Sequence, residues 1–180
     1  MRAFIAIPLP SDVQSKLAIA SAGLPKDVSK VRAENLHVTL AFLGEISESD
    51  SKKTMNAMDL AAGANAAFAA SSQGVDAFPS ATFPRVVFAR AQGPGFDGLY
   101  KSLCNELEKS GLAVKRDEKF VPHITLGRAR KNSSLGDFFN ANKAGEFGEF
   151  NVESMALFES VLEPAGAKYS IVHSSSLAKP

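Results

Sequence analysis

Two phrases of this 180-residue chain, NLHVTLAFLGE (35–45) and FVPHITLGRAR (120–130), place His-x-Thr-Leu inside an apolar, strand-like run. Each follows another such run at nearly the same distance: Phe4 lies 33 residues before His37, and Val87 lies 36 before His123. A helix fits between the two runs in both cases. A strand–helix–strand unit that occurs twice constrains the fold more than any other feature, because two related lobes would each contribute one His-x-Thr strand. No low-complexity linker separates them, so residues 1–180 are expected to form one bilobal domain, a size adequate for a proper core.

The remaining elements follow from punctuation and period. RAFIAI (2–7) reads as a strand closed by Pro8, and Ser11 as the N-cap of a helix to about Ser21. Ser47 to Asp50 resembles a capping box opening an Ala-rich helix to about Ala67. One strand is expected around Gly74–Phe78 and another over Arg85–Gln92. The turn GPG (93–95) then leads into a helix from about Gly95 to Lys109, ended by Gly111. Pro122 argues for an edge position or a strand start in the second His-x-Thr phrase. A short helix is expected over Leu135–Ala141. NVESMALFESVL and AKYSIVHS then read as a closing hairpin around Glu163–Gly166.

Side chains two apart on a strand share a face. His37 and Thr39 therefore point together, as do His123 and Thr125, while Val38, Leu40, Ile124 and Leu126 turn the other way. The chain has three histidines and four threonines, so chance gives two of the three histidines a Thr at +2 in roughly 0.1–0.2% of cases. Two imidazoles and two hydroxyls across one groove suit a phosphodiester. A neutral His can take a proton from water while a protonated His gives one to the departing oxygen, and an unperturbed pKa of about 6.5 lets both forms coexist near neutrality. The hydroxyls can donate to the non-bridging oxygens where charge builds. This chemistry needs no metal, and two histidines without a close third ligand or a cysteine cluster do not make a zinc site.

MRAFIAI, NLHVTLAFLGE, FPRVVFA and FVPHITLGRAR together resemble the bacterial and archaeal RNA 2′,3′-cyclic phosphodiesterases, also called 2′-5′ RNA ligases, of the two-histidine phosphoesterase superfamily. The resemblance extends to LFESVLEPAGAKYSIV, essentially full length. It implies an α+β fold of two pseudo-symmetric lobes, with antiparallel sheets lining a central groove and helices outside. It also implies metal-independent, cofactor-free opening of RNA 2′,3′-cyclic phosphate ends to 2′-phosphates, and reversible 2′-5′ joining of RNA ends. By the same resemblance His37 protonates the leaving 3′-oxygen and His123 activates water, with Thr39, Thr125 and Arg128 at recurring positions. Pseudo-symmetry leaves the reverse assignment open. Strict alternation puts Arg128 on the face opposite His123, so it joins the site only if Gly127 bends the strand or the strand ends there. Phe88 stands where Trp is common in the family. Two alternatives remain: a non-catalytic nucleotide- or RNA-binding module, and an esterase for another cyclic phosphate such as ADP-ribose 1″,2″-cyclic phosphate.

A net charge of +1 excludes a generally basic nucleic-acid coat. Locally, Lys115, Arg116, Lys119, Arg128, Arg130 and Lys131 outnumber Asp117 and Glu118, which reads either as a solvated face or as a rim for RNA ends, with Phe120 available for base stacking. Phe4 is expected in the core and His173 at a strand end without a role. Cys104, the single cysteine, fits a half-buried helical thiol and a reducing compartment. No apolar run reaches membrane-spanning length. A cytoplasmic monomer acting on RNA ends is the expectation.

Overall fold

The computed structural model describes residues 1–130, 133–164 and 166–179. In chain order the elements are β1 (Arg2–Pro8), α1 (Ser11–Ala22), β2 (Val28–Lys30), a 3₁₀ turn (Ala33–Asn35), β3 (His37–Glu45) and α2 (Glu48–Gly63). There follow β4 (Phe68–Pro79), β5 (Pro84–Gln92), α3 (Phe96–Lys109), β6 (His123–Ala129), α4 (Gly136–Asn142), β7 (Glu146–Val152), β8 (Ser154–Glu163) and β9 (Gly166–Ser176).

The caps explain where the helices begin and end. Ser47 Oγ accepts the Asp50 N–H at 3.0 Å and donates to the Asp50 carboxylate at 2.9 Å, so the expected capping motif opens α2. Ser11 begins α1 rather than capping it, because Pro10, lacking an N–H and held extended, occupies the cap position. The Ala-rich run does not remain helical to Ala67. Asn65 Nδ2 donates to the Ala61 carbonyl at 2.8 Å and closes α2, which frees the following residues for β4. β4 is accordingly longer than expected, beginning at Phe68 rather than near Gly74.

The strands form one antiparallel sheet in the order β7-β4-β5-β6-β3-β1-β8-β9, with short β2 added to β6. The order is symmetric about the β6–β3 junction. β6 and β3 carry the two His-x-Thr phrases, β5 and β1 are the strands that precede them, and β4 and β8 lie one place further out. Pro122 sits just before β6, so β6 is central and not an edge.

The expected single strand over residues 151–162 is instead two strands. Val152 ends β7 against Phe68, and Ser154 starts β8 against Ser176, so the chain passes between lobes at Glu153. The sheet must curl into a half-barrel for adjacent residues to serve outer strands of both halves. α1, α2 and α3 bury Leu17, Met58, Leu99, Leu103 and Leu107 in the same core as Val38, Leu40, Ile124 and Leu126, which are 4% exposed or less. Cys104 is buried on α3. With one strand face sealed by helices, the other is left for His37, Thr39, His123 and Thr125.

Candidate active site

β3 and β6 pair at Val38 and Ile124. In an antiparallel ladder this register sets His37 beside Thr125 and Thr39 beside His123. All four half-buried side chains share the face opposite Val38 and Ile124, so the two phrases form one cluster at the centre of the sheet.

The imidazoles are held in the same way. His37 Nδ1 lies 2.6 Å from the Asn35 carbonyl and His123 Nδ1 lies 2.7 Å from the Val121 carbonyl. A carbonyl only accepts, so Nδ1 carries the proton and donates it, and the neutral ring keeps its lone pair on Nε2. His37 Nε2 also lies 3.0 Å from Thr39 Oγ1, whose hydroxyl donates to it while the ring is neutral.

Aromatic rings back both histidines. His37 lies against Phe4 at 4.9 Å between centroids, with Tyr169 at 5.7 Å and Phe158 at 6.1 Å. His123 lies against Phe78 at 5.0 Å and Phe88 at 5.2 Å. Phe4 is thus buried as expected, and it is also the wall behind the first imidazole. Burial lowers the pKa of both groups below the ordinary histidine value. For His37 the nearby His123 adds to the lowering while the Asn35 carbonyl opposes it. For His123 the Val121 carbonyl and the Asp117 carboxylate oppose the burial, and the Arg128 guanidinium reinforces it. Burial thus favours the neutral form of both rings.

Arg128 does reach this face. Thr125 pairs with Phe88 and Gly127 with Val87, so Leu126 is an extra residue, a β-bulge that turns both Leu126 and Gly127 inward and Arg128 outward. A Cβ on Gly127 would stand 2.8 Å from Val28 Cγ1 and 3.1 Å from the Ser29 carbonyl, so only glycine lets β2 approach here. β3 carries the same bulge at Leu40, since Thr39 pairs with Ala6 and Ala41 with Ile5. Phe42 consequently occupies in its lobe the place that Arg128 occupies in the other.

Phe42 is 69% exposed, unusual for so large an apolar ring. A cavity of about 630 Å³ is lined by His123, Thr125, Lys119, Phe78, Phe42 and Arg128. A second of about 280 Å³ is lined by His37, Phe4, Arg2 and Tyr169, and again by Phe42 and Arg128. The two shared residues make these the halves of one groove. Phe42 was not expected from the sequence, although HVTLAF set against HITLGR gives it the offset of Arg128.

The basic stretch divides. Lys119 and Arg128 line the groove, whereas Arg116 is held by Glu108, with Nε 2.5 Å from Oε1 and Nη2 2.7 Å from Oε2. Phe120 is not available to a base: it stacks on Tyr100 at 4.2 Å and 4°. Lys131 lies outside the described residues. His173 sits within β9, where Nε2 meets Asp59 Oδ1 of α2 at 2.8 Å, a tie between helix and sheet away from the groove.

A curled antiparallel sheet presenting one His-x-Thr strand from each of two pseudo-symmetric halves defines the class: this is a two-histidine phosphoesterase fold. The family is equally definite. Residues 12–162 match the family model of the 2′-5′ RNA ligase superfamily, and the chain belongs to it. An RNA 2′,3′-cyclic phosphodiesterase of Archaeoglobus fulgidus is 34% identical, over 94% of this chain and 96% of its own. One of Methanocaldococcus jannaschii is 30% identical over 96% and 98%. A crystal structure from Thermus thermophilus superimposes with a TM-score of 0.85 at 31% identity, covering 99% of both chains. E. coli LigT complexed with 3′-AMP does so at 0.78 and 26%, covering 99% and 98%. The chain is accordingly an enzyme of the phosphodiesterase class.

Proposed function

We propose that this protein is a metal-independent RNA 2′,3′-cyclic phosphodiesterase that opens cyclic ends to 2′-phosphates, with His37 as general acid and His123 as general base. The observation that carries the reading is the common mounting of the two imidazoles, each with Nδ1–H on a backbone carbonyl and Nε2 directed to the groove face, where His37 Nε2 meets only the hydroxyl of Thr39. The cyclic phosphate lies between them. Water attacks phosphorus as His123 Nε2 takes its proton. The P–O3′ bond breaks as protonated His37 delivers a proton to O3′, leaving the 2′-phosphate.

Burial favours the neutral form of both rings, and the substrate's phosphate anion would stabilise an imidazolium beside it, so the acid gains its proton as substrate binds. The proposed division of labour draws support from their surroundings. His37, walled by Phe4, Phe158 and Tyr169, holds a proton weakly and gives it up readily. His123 has Asp117 to support its basicity. Thr39, Thr125 and Arg128 would hold the non-bridging oxygens, and exposed Phe42 offers a face on which a terminal base can stack. The same ring-opening step with an RNA 5′-hydroxyl attacking phosphorus in place of water forms a 2′-5′ linkage as the P–O3′ bond breaks, and its reversal cleaves that linkage. One bilobal domain supplies every group, so a monomer suffices.

The test is an assay of EDTA-treated protein against a panel of ribonucleoside 2′,3′-cyclic phosphates, RNA ends and ADP-ribose 1″,2″-cyclic phosphate. Turnover of the RNA-type substrates to 2′-phosphate supports the reading. A metal requirement, a 3′-phosphate product, or turnover of the ADP-ribose compound alone would replace it.

A further inference from the structure

The groove does not end at His123. Next to it lies a cavity of about 460 Å³ lined by Asp76, Phe78, Phe88, Arg90, Gln92 and Val121, among others. It shares Phe78 and Val121 with the larger half of the groove, so the two spaces are continuous. Its one cationic group among the described residues is Arg90. In the β5–β6 ladder Arg90 pairs directly with His123, as Phe88 pairs with Thr125 and Val86 with Arg128. Directly opposed residues on antiparallel strands project from the same face, one strand spacing of about 5 Å apart. Arg90 therefore extends the polar row of the site outward beyond the phosphate position.

The guanidinium is placed but not consumed. Arg90 Nη2 donates to Asp76 Oδ2 at 2.5 Å, and the other carboxylate oxygen, Oδ1, accepts the Ala77 N–H at 2.8 Å. The ion pair is close to half exposed on both sides, 45% and 36%, where such pairs contribute little and exchange partners readily. Gly74 adopts φ +71°, and a Cβ there would stand 2.8 Å from the Lys143 carbonyl, so the backbone that lies against Arg90 Nη1 requires glycine. Arg90 keeps further N–H donors, and guanidinium matches phosphate in shape and charge.

We propose that this adjoining cavity is a second phosphate subsite, in which Arg90 binds the 5′-phosphodiester of the same nucleotide whose 2′,3′-cyclic phosphate lies between the histidines. The inference rests on the function proposed above and deepens it. The preferred substrate is then an RNA end with at least one upstream linkage rather than a free mononucleoside cyclic phosphate. The ribose packs over Phe78, which buried Phe88 backs at 4.3 Å, and the strand leaves the groove past Arg90 and Gln92.

Product-type ligands test this without turnover. Titration calorimetry would compare adenosine 2′-monophosphate with adenosine 2′,5′-bisphosphate on the wild-type protein, Arg90→Gln and Asp76→Asn. The wild type should bind the bisphosphate about 10-fold more tightly, the scale of one charge-assisted hydrogen bond. Arg90→Gln should bring the ratio to about one while leaving monophosphate affinity unchanged, and Asp76→Asn should widen it by releasing Arg90. Equal wild-type affinities, or a ratio that survives Arg90→Gln, would overturn the subsite while monophosphate binding keeps the proposed function standing. Failure of the wild type to bind either ligand would overturn both.

Discussion

The two lobes make the same site twice, and they differ where the substrate is not symmetric. The shared parts are the bond from Nδ1 to the carbonyl two residues upstream, the hydroxyl at +2, the bulge after it and the aromatic wall behind each ring. The first difference is at the fifth residue after each histidine, Phe42 in one lobe and Arg128 in the other. The second is electrostatic: burial lowers both imidazoles, but beside His123 a carboxylate, Asp117, opposes the lowering and Arg128 adds to it, while beside His37 the nearby charged group is His123, which adds to it. A cyclic nucleotide end has one leaving oxygen, one attacking water and one base. In the proposed mechanism duplication supplies two equivalent proton carriers, and single-residue divergence would assign them.

Removing what the lobes share should have the largest effect. His37→Ala and His123→Ala should each reduce kcat by about 10²–10⁴-fold, and the double variant should fall little further, because acid and base act as a unit. Additive losses in single-turnover rates would break the pairing. Thr39→Ala and Thr125→Ala should cost about 10–10³-fold, since one phosphate hydrogen bond is lost while proton transfer survives. Thr39→Ala should also disturb His37, to whose Nε2 it is bonded.

Where the lobes diverge, the variants should separate by substrate. Arg128→Gln should raise KM about 10-fold for every cyclic phosphate. Phe42→Ala should raise it about 10-fold only when a base is present, and Phe42→Trp should restore it. A baseless cyclic phosphodiester that loses equally to Phe42→Ala would end the distinction.

The smallest effect is on stability. Both histidines have folded-state pKa values below the unfolded value of about 6.5, so below that pH the unfolded chain binds more protons than the folded one. Their contribution is fully present above about 6.5 and is lost as pH falls through the folded values. Urea midpoints should therefore drop between pH 7.5 and pH 5. The drop should shrink in His37→Ala and His123→Ala, and NMR titration should find both His37 and His123 titrating below the ordinary histidine value.

Much of this was legible in the sequence because period-2 alternation survives in short, half-buried strands: His37, Thr39, His123 and Thr125 fall on one face as that period requires. Alternation fails at a bulge, and both bulges follow the Thr-Leu step, so neither the outward turn of Arg128 nor its counterpart Phe42 could be read from the period. The expected strand runs the last two residues of β7, Asn151 and Val152, into β8 because the chain changes lobes at Glu153 with no Gly or Pro to mark the passage. Gly148, with φ +118°, interrupts the alternation that would have announced β7. Phe120 looked free because nothing local shows that Tyr100, twenty positions earlier on α3, claims its face.

The division of labour between the histidines meets its most direct test with a cyclic phosphodiester whose leaving oxygen departs without protonation. On this substrate His37→Ala should regain most of the wild-type rate, and His123→Ala should stay at the level it shows on RNA ends. Rescue of His123→Ala in place of His37→Ala would reverse the assignment, and full activity of either variant on RNA ends would contradict acid–base catalysis by the pair.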